Sequence, residues 1–334
     1  MREVSENRTL DAVSDAYAGF LRKVLGSGTQ IGNRTKVTGY RFVGISTTIN
    51  LSPFLMGSKE FDEMKSDLKA NLDVETSKLP DDFSILAASS QRKLPIMSAI
   101  GELLGFLRGY DNAEDFASLG CNFWFKNANG TPEWIHNPNR KGDNDLGRIY
   151  GKQWTDWKCA DGSSINQVKN LIDGINTDPL GRRHIINGWR PDELEQMALP
   201  PCHLLYQFFP NPNNGMMDLL MYQRSVDSYL GLPSNWVSCS LLLAIICRFT
   251  GYKPGKLVHT GGDCHIYANA YEQAIEISNR GTEKIYPPIV VLSNQIERYE
   301  GTDFPYERML EICPGHFQIF NYFPGPALKA EMVE

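Results

Sequence analysis

The chain has 334 residues, 42% of them hydrophobic, with 33 basic and 39 acidic side chains and a formal net charge of −6. That length buries a substantial core, and that charge gives no global field for holding nucleic acid, so a bound phosphate has to be gripped locally. The longest apolar runs, such as Leu241 to Cys247, fall short of the roughly 20 residues needed to cross a bilayer, and the opening MREVSENRTL lacks the apolar stretch of a secretory signal, which points to a cytoplasmic protein.

Leu10, Val13, Tyr17, Leu21 and Val24 recur every three or four residues and predict an amphipathic helix ended by Gly26 and Gly28. TQIGNRTKVTGYRFVGI predicts a loop, containing Arg34, that runs into an extended segment. Residues 52–82 are polar and weakly periodic and read as an insertion, with MGSKEFDEMKSDLKANLD as an exposed helix. A firmer helix covers about 95 to 108, with Pro95 in its first turn and a cap from Ser89, Ser90 or a neighbour. Glu102 is a lone carboxylate in that apolar stretch; it either faces solvent or, if buried, must be hydrogen-bonded or have a raised pKa.

From 121 to 148 the chain is rich in aromatic residues and asparagine, then in turn residues, which predicts loops and short helices at the surface or over a pocket. A second insertion falls near 129–144. Ser163 to Ile175 reads as a helix, Asp178 to Gly181 as a turn, and HIINGW as a strand. Between turn and strand, Arg182 and Arg183 suit either solvent or a shared phosphate. HLLYQFF and MMDLLMYQR, joined through Asn-Gly in PNPNNG, predict an antiparallel pair whose second strand delivers Arg224, Ser225 and Asp227 to its end. Then come a helix from about Ser234 or Asn235 to Cys247, a turn with an extended or helical segment over Gly261 to Tyr267, a helix over NAYEQAIEISN and a strand over PPIVVLS. Mixed elements without a repeat, and without G-x-G-x-x-G after an early strand, favour a single α+β domain over 1–334. The seven cysteines include no Cys-x-x-Cys pair, and neither Cys202-His203 nor Cys264-His265 has metal-ligand spacing, so neither a disulfide framework nor a metal is expected.

Seven segments occur in an order that resembles the thymidylate synthase and pyrimidine-nucleotide hydroxymethylase family: GTQIGNRT, GELLGF, LGRIYGKQW, GRRHI, ALPPCH followed by Gln207, YQRSVDSYLGLPSN and HTGGDCHIY. The resemblance spans most of the chain and implies that family's fold, a central mixed sheet packed by helices. It assigns Cys202 as the nucleophile that adds to pyrimidine C6, which agrees with the reactivity of cysteine near neutral pH. It implies that Arg34, Arg182, Arg183 and Arg224 surround the substrate phosphate with Ser225 beside them, Arg182 and Arg183 crossing from the other subunit of a homodimer. His265 and Tyr267 would bind the deoxyribose hydroxyl. Asn235 and Gln207 would orient the base; an amide offers both an acceptor for N3–H and a donor for O4, and asparagine at 235 favours uracil. Glu102 and Tyr150 would serve proton movement, Asp227 and Trp124 the folate pterin, and Arg92 the glutamyl tail. The implied substrates are dUMP and 5,10-methylenetetrahydrofolate, without membrane or nucleic acid.

Departures on the folate side bear on the product. The family's Trp-Asp appears as Trp124-Phe125, the tryptophan of its ELLW segment is Gly105, and the chain ends in Glu334 where a small apolar residue is expected. A charged end resists burial and leaves a path for water, and CNFWFKNAN resembles a virus-associated branch that makes altered thymines for DNA. These departures favour 5-hydroxymethyl-dUMP and tetrahydrofolate, with dTMP and dihydrofolate as the alternative, Trp124 arguing for the latter. A relative that has lost catalysis and serves as a regulatory or RNA-binding protein is a reading of a different class, opposed by the retained Cys202 and arginines.

Overall fold

The computed structural model describes residues 11–32, 38–53, 66, 83–281 and 287–331. Arg34 and Glu334 lie outside them, as does the helix expected over 56–73 apart from Ser66.

Helix α1 (Ala12–Ser27) starts where the Asp11 carboxylate accepts the Ser14 N–H at 3.0 Å and the Ser14 hydroxyl at 2.6 Å. Its Val13, Tyr17, Leu21 and Val24 are all buried, as the period demands. The sheet it lies against has the order β1 (Thr29–Ile31), β2 (Gly39–Asn50), β9 (Lys253–Tyr267), β8 (Met216–Asp227), β7 (His203–Asn211), β6 (Ile185–Asn187). Neighbours are antiparallel except β8 and β9. That pair is parallel because a helix, α8 (Gly231–Thr250), carries the chain back across the sheet between them. The mixed α+β architecture is therefore present, and β7 and β8 form the hairpin that PNPNNG signals. A small sheet of β3 (Ser84–Ile85), β10 (Ile289–Leu292) and β11 (Phe317–Phe320) completes the frame.

Helix α8 is long and apolar enough to cross a membrane, yet Trp236, Val237, Leu241, Leu243, Ile245 and Ile246 are all within 1% of full burial, enclosed in the core. Helix α2 (Ile96–Leu107) packs on it. On the sheet face away from this layer, Ile185, Phe209 and Tyr222 stay exposed while their strand neighbours Ile186, Phe208 and Met221 are buried.

Four boundaries differ from expectation. Pro95 itself occupies the cap of α2 and no side chain bonds there; Ser89 instead bonds Gln91 and Ser14. The helix predicted from Ser163 starts at Gln167 as α7 (Gln167–Thr177), capped by Asn166, because Ser164 and Ile165 pair with Trp157 and Lys158 as β5 (Ser164–Ile165) and β4 (Trp157–Lys158). Helix α8 begins at Gly231, ahead of Ser234, since Asp227 already holds the preceding amides. Gly261 and Gly262 form no turn; they lie inside β9, where a Cβ on Gly261 would come within 2.6 Å of Cys264 Sγ.

A helix not expected from the sequence, α3 (Ala113–Ser118), precedes the stretch from 121 to 148, whose short helices are α4 (Phe125–Gly130) and α5 (Pro132–Ile135), and α6 (Tyr150–Thr155) follows. They are anchored rather than loose: Trp134 is buried and donates its indole N–H to the Asp145 carbonyl at 2.7 Å.

Candidate active site

Cys202 sits half-buried just before β7, and its backbone is fixed from both sides. Its N–H donates to Tyr150 Oη at 2.7 Å, and its carbonyl accepts the Arg224 N–H at 2.8 Å. The Arg224 guanidinium donates from Nε to the Pro201 carbonyl and from Nη2 to the Pro200 carbonyl, both at 2.9 Å, and lies 5.2 Å over the Trp189 ring. Pro-Pro thus presents two carbonyls that need donors, and a strand-end arginine supplies them, so one cation holds the nucleophile loop.

Tyr150, at the start of α6, stacks on Phe106 at 4.8 Å and meets the tilted His203 ring at 4.4 Å. Burial pushes its phenol well above the ordinary range, so the hydroxyl keeps its proton and can donate it in a hydrogen bond while accepting from Cys202. Burial also pushes His203 down to about 3, and this neutral ring shares a hydrogen bond with the Tyr206 hydroxyl. Sequence reasoning weighed His203 only as a metal ligand and missed it as the base on which Tyr150 rests. No spacing in the sequence signals such stacking.

Glu102, on α2, is neither plain surface nor paired with a cation: burial raises its pKa to about 7, with the nearby Trp124 indole offsetting part of the rise. It also lies within electrostatic reach of Tyr150. A carboxyl that exchanges its proton near neutrality suits general acid–base work. Trp124 is 4% exposed and packs edge-on to Phe106 and Tyr150, each at 5.9 Å. Gly105 has a physical partner: the Phe116 ring occupies the space within 2.3 Å of where a Cβ would stand, and Phe116 lies 5.8 Å from Trp124. The aromatic mass that the resemblance places at 105 arrives from α3 instead.

At the far end of β8, Asp227 accepts the Tyr229 N–H at 3.0 Å and the Leu230 N–H at 2.9 Å. Burial raises its pKa, the Leu230 bond and His265 working against the rise. Asp227 and Asn235 flank Gly231 at the start of α8. The parallel register sets Asp227 opposite His265, whose Nδ1 is 3.2 Å from Asp263 and whose ring meets Tyr267 edge-on at 4.9 Å. Arg92 is no surface residue; it is 6% exposed, donates from Nη2 to the Tyr229 carbonyl at 2.5 Å and lies 4.7 Å over the Tyr229 ring, its Nε lacking a hydrogen-bond partner among the described residues. A buried guanidinium with an unused donor beside Asp227 is suited to an anionic or carbonyl-bearing ligand.

Cys202, Tyr150, Trp124 and Arg224 are therefore linked by direct contacts, with Glu102 within electrostatic reach of Tyr150, and Asp227, Asn235, His265, Tyr267 and Arg92 cluster around the ends of β8 and β9 and the start of α8. Arg182, Arg183 and Gln207 are not in that group. Both arginines are exposed before β6, and Gln207 Nε2 is 3.5 Å from the Arg182 carbonyl. Gln207 stands five residues up β7 from Cys202, roughly 16 Å at the rise of a strand. Among the described residues no three His, Cys, Asp or Glu side chains form a group that could hold a metal.

The thymidylate synthase family model matches residues 15–334. A thymidylate synthase of Pseudomonas syringae pv. tomato is 37% identical over 281 residues, covering 73% of this chain and 86% of its own length. One from Pseudomonas putida is 33% identical over 351 aligned positions, covering 95% and 98%. One from Coxiella burnetii is 38% identical over 239 residues, covering 72% and 81%. These relatives are bacterial and share one name, which lends nothing to the hydroxymethylase or virus-associated readings.

Proposed function

Because the chain belongs to the thymidylate synthase family, we propose that it converts dUMP to dTMP, with 5,10-methylenetetrahydrofolate supplying both the carbon and the hydride and leaving as dihydrofolate. The observation that carries this reading is the clamped Cys202, held by Tyr150 and Arg224, with a carboxyl titrating near neutrality within electrostatic reach of Tyr150. The Cys202 thiolate adds to C6 of the pyrimidine, and the electron pair displaced to C5 forms the bond to the methylene carbon. Glu102 moves a proton at the O4 side of the ring, and Tyr150 assists loss of the C5 proton. Loss of the C5 proton expels the folate nitrogen from the transferred carbon and leaves an exocyclic methylene; hydride from the tetrahydrofolate so released reduces that carbon, the C6–S bond breaks and Cys202 is restored. Asn235 reads the uracil edge, with Gln207 assisting, and His265 and Tyr267 hold the deoxyribose. Asp227, Trp124 and Arg92 meet the folate.

Arg224 and Ser225 hold the phosphate, joined by Arg34 and, from a second copy, by Arg182 and Arg183. The distance of the last two from Cys202 along β7 and the exposed Ile185, Phe209 and Tyr222 on the open sheet face support a homodimer formed through that face. The chain acts as one domain, with insertions near 52–82 and 129–144.

The departure at Phe125 suits water capture, giving 5-hydroxymethyl-dUMP instead; the shared name of the relatives and the buried Trp124 beside Tyr150 support reduction better. The two readings separate in one assay. With tritium at C5 of dUMP, the proposal predicts one dihydrofolate formed for each tritium released. Tritium release without dihydrofolate would replace reduction by water capture, and no release at all would remove the C5 chemistry.

A further inference from the structure

Side chains of β8 and β9 exchange faces at one level of the sheet. Along β8, Leu219, Met221 and Gln223 are buried in alternation, and the next buried residue is Val226; along β9 the series Leu257, His259, Gly261 gives way to Cys264 and Ile266. This inversion turns Ser225 and Asp227 on one strand, and His265 and Tyr267 on the other, off the core and into the site.

A buried relay stands on the last rung before the inversion. Gln223, 2% exposed, donates from Nε2 to the Ser225 carbonyl at 2.9 Å, and its Oε1 is 3.3 Å from His259 Nε2. A carbonyl only accepts, so the amide nitrogen must face Ser225, its oxygen must face His259, and His259 must carry its proton on Nε2. His259 is fully buried, its ring 5.9 Å from both Phe20 and Trp236, and its Nδ1 has no hydrogen-bond partner. Burial holds it near pKa 3 and thus neutral. Nothing in the chemistry above uses this histidine, yet its hydrogen bond to Gln223 leads to the strand end that carries Arg224 and Ser225.

We infer that His259 is a positioning residue for phosphate binding, acting through Gln223 on the Ser225 backbone where the sheet inverts. This rests on the reading above in which Arg224 and Ser225 meet the substrate phosphate. The test compares dUMP KM and kcat for wild type, His259→Phe, His259→Gln, Ser225→Ala and the double variant His259→Phe/Ser225→Ala. His259→Phe keeps the ring and deletes the donor; losing that bond should raise KM about tenfold with kcat nearly unchanged. His259→Gln, which can donate again, should recover most of the loss, and the double variant should bind little worse than the weaker single one. An unchanged KM in folded His259→Phe, or full additivity, would overturn the relay. A Ser225→Ala enzyme with wild-type KM would instead remove the phosphate reading on which it rests. Nitrogen NMR of histidine-labelled wild type needs no variant to fold: the relay predicts a protonated His259 Nε2 whose resonance moves when inorganic phosphate is added, and a resonance that stays still would refute it.

Discussion

Replacing Glu102 by glutamine keeps the shape of the side chain and removes its titration. Burial lifts this carboxyl from its ordinary 4.5 to about 7 in the folded protein, so between those values the native state binds more protons than the unfolded chain and stability falls as pH rises. Glu102 in its protonated form gives its full contribution below about pH 4.5, and that contribution is lost by about pH 7. The shift corresponds to about 3 kcal/mol, and partial contact with solvent trims it to about 2. Glu102→Gln carries no such penalty. Urea unfolding at fixed protomer concentration should therefore show the variant gaining about 1 to 2 kcal/mol on wild type between pH 5 and pH 8, with little further gain above. Turnover should fall roughly 10²- to 10⁴-fold in the same variant. A stability gap that is the same at pH 5 and pH 8 would refute the buried, raised carboxyl.

Three further substitutions probe the site. Cys202→Ser should abolish turnover while dUMP still binds in calorimetry; residual turnover near the wild-type rate would exclude the covalent route. Gly105→Ala drives a Cβ to within 2.3 Å of the Phe116 ring and should cost about 1–3 kcal/mol in thermal unfolding, part of it regained by Phe116→Leu. Asn235→Asp exchanges an amide for a carboxylate that cannot donate to O4, and should shift the ratio of kcat/KM values for dUMP and dCMP toward dCMP.

Local chemistry was legible where it is carried by neighbours in sequence. The period of α1, the Asn-Gly hairpin between β7 and β8, and the ordered motifs around Cys202, Arg224 and His265 all announce themselves. What depends on contacts between distant segments was not. The grip of Arg224 on Pro200 and Pro201 joins positions some two dozen residues apart, and the pairing of Gly105 with Phe116 makes an apparent loss of an aromatic into a rearrangement. Gly261-Gly262 read as a turn because glycine pairs usually mark one; here close packing under β9 requires them. Arg92 was singled out only through the resemblance, and its burial over the Tyr229 ring depends on a contact between distant segments.

The product itself tests the account most directly: mass analysis of the nucleotide formed from dUMP and 5,10-methylenetetrahydrofolate. The account predicts dTMP, accumulating with dihydrofolate. A product bearing one additional oxygen, 5-hydroxymethyl-dUMP, would contradict it and assign the reaction to water capture.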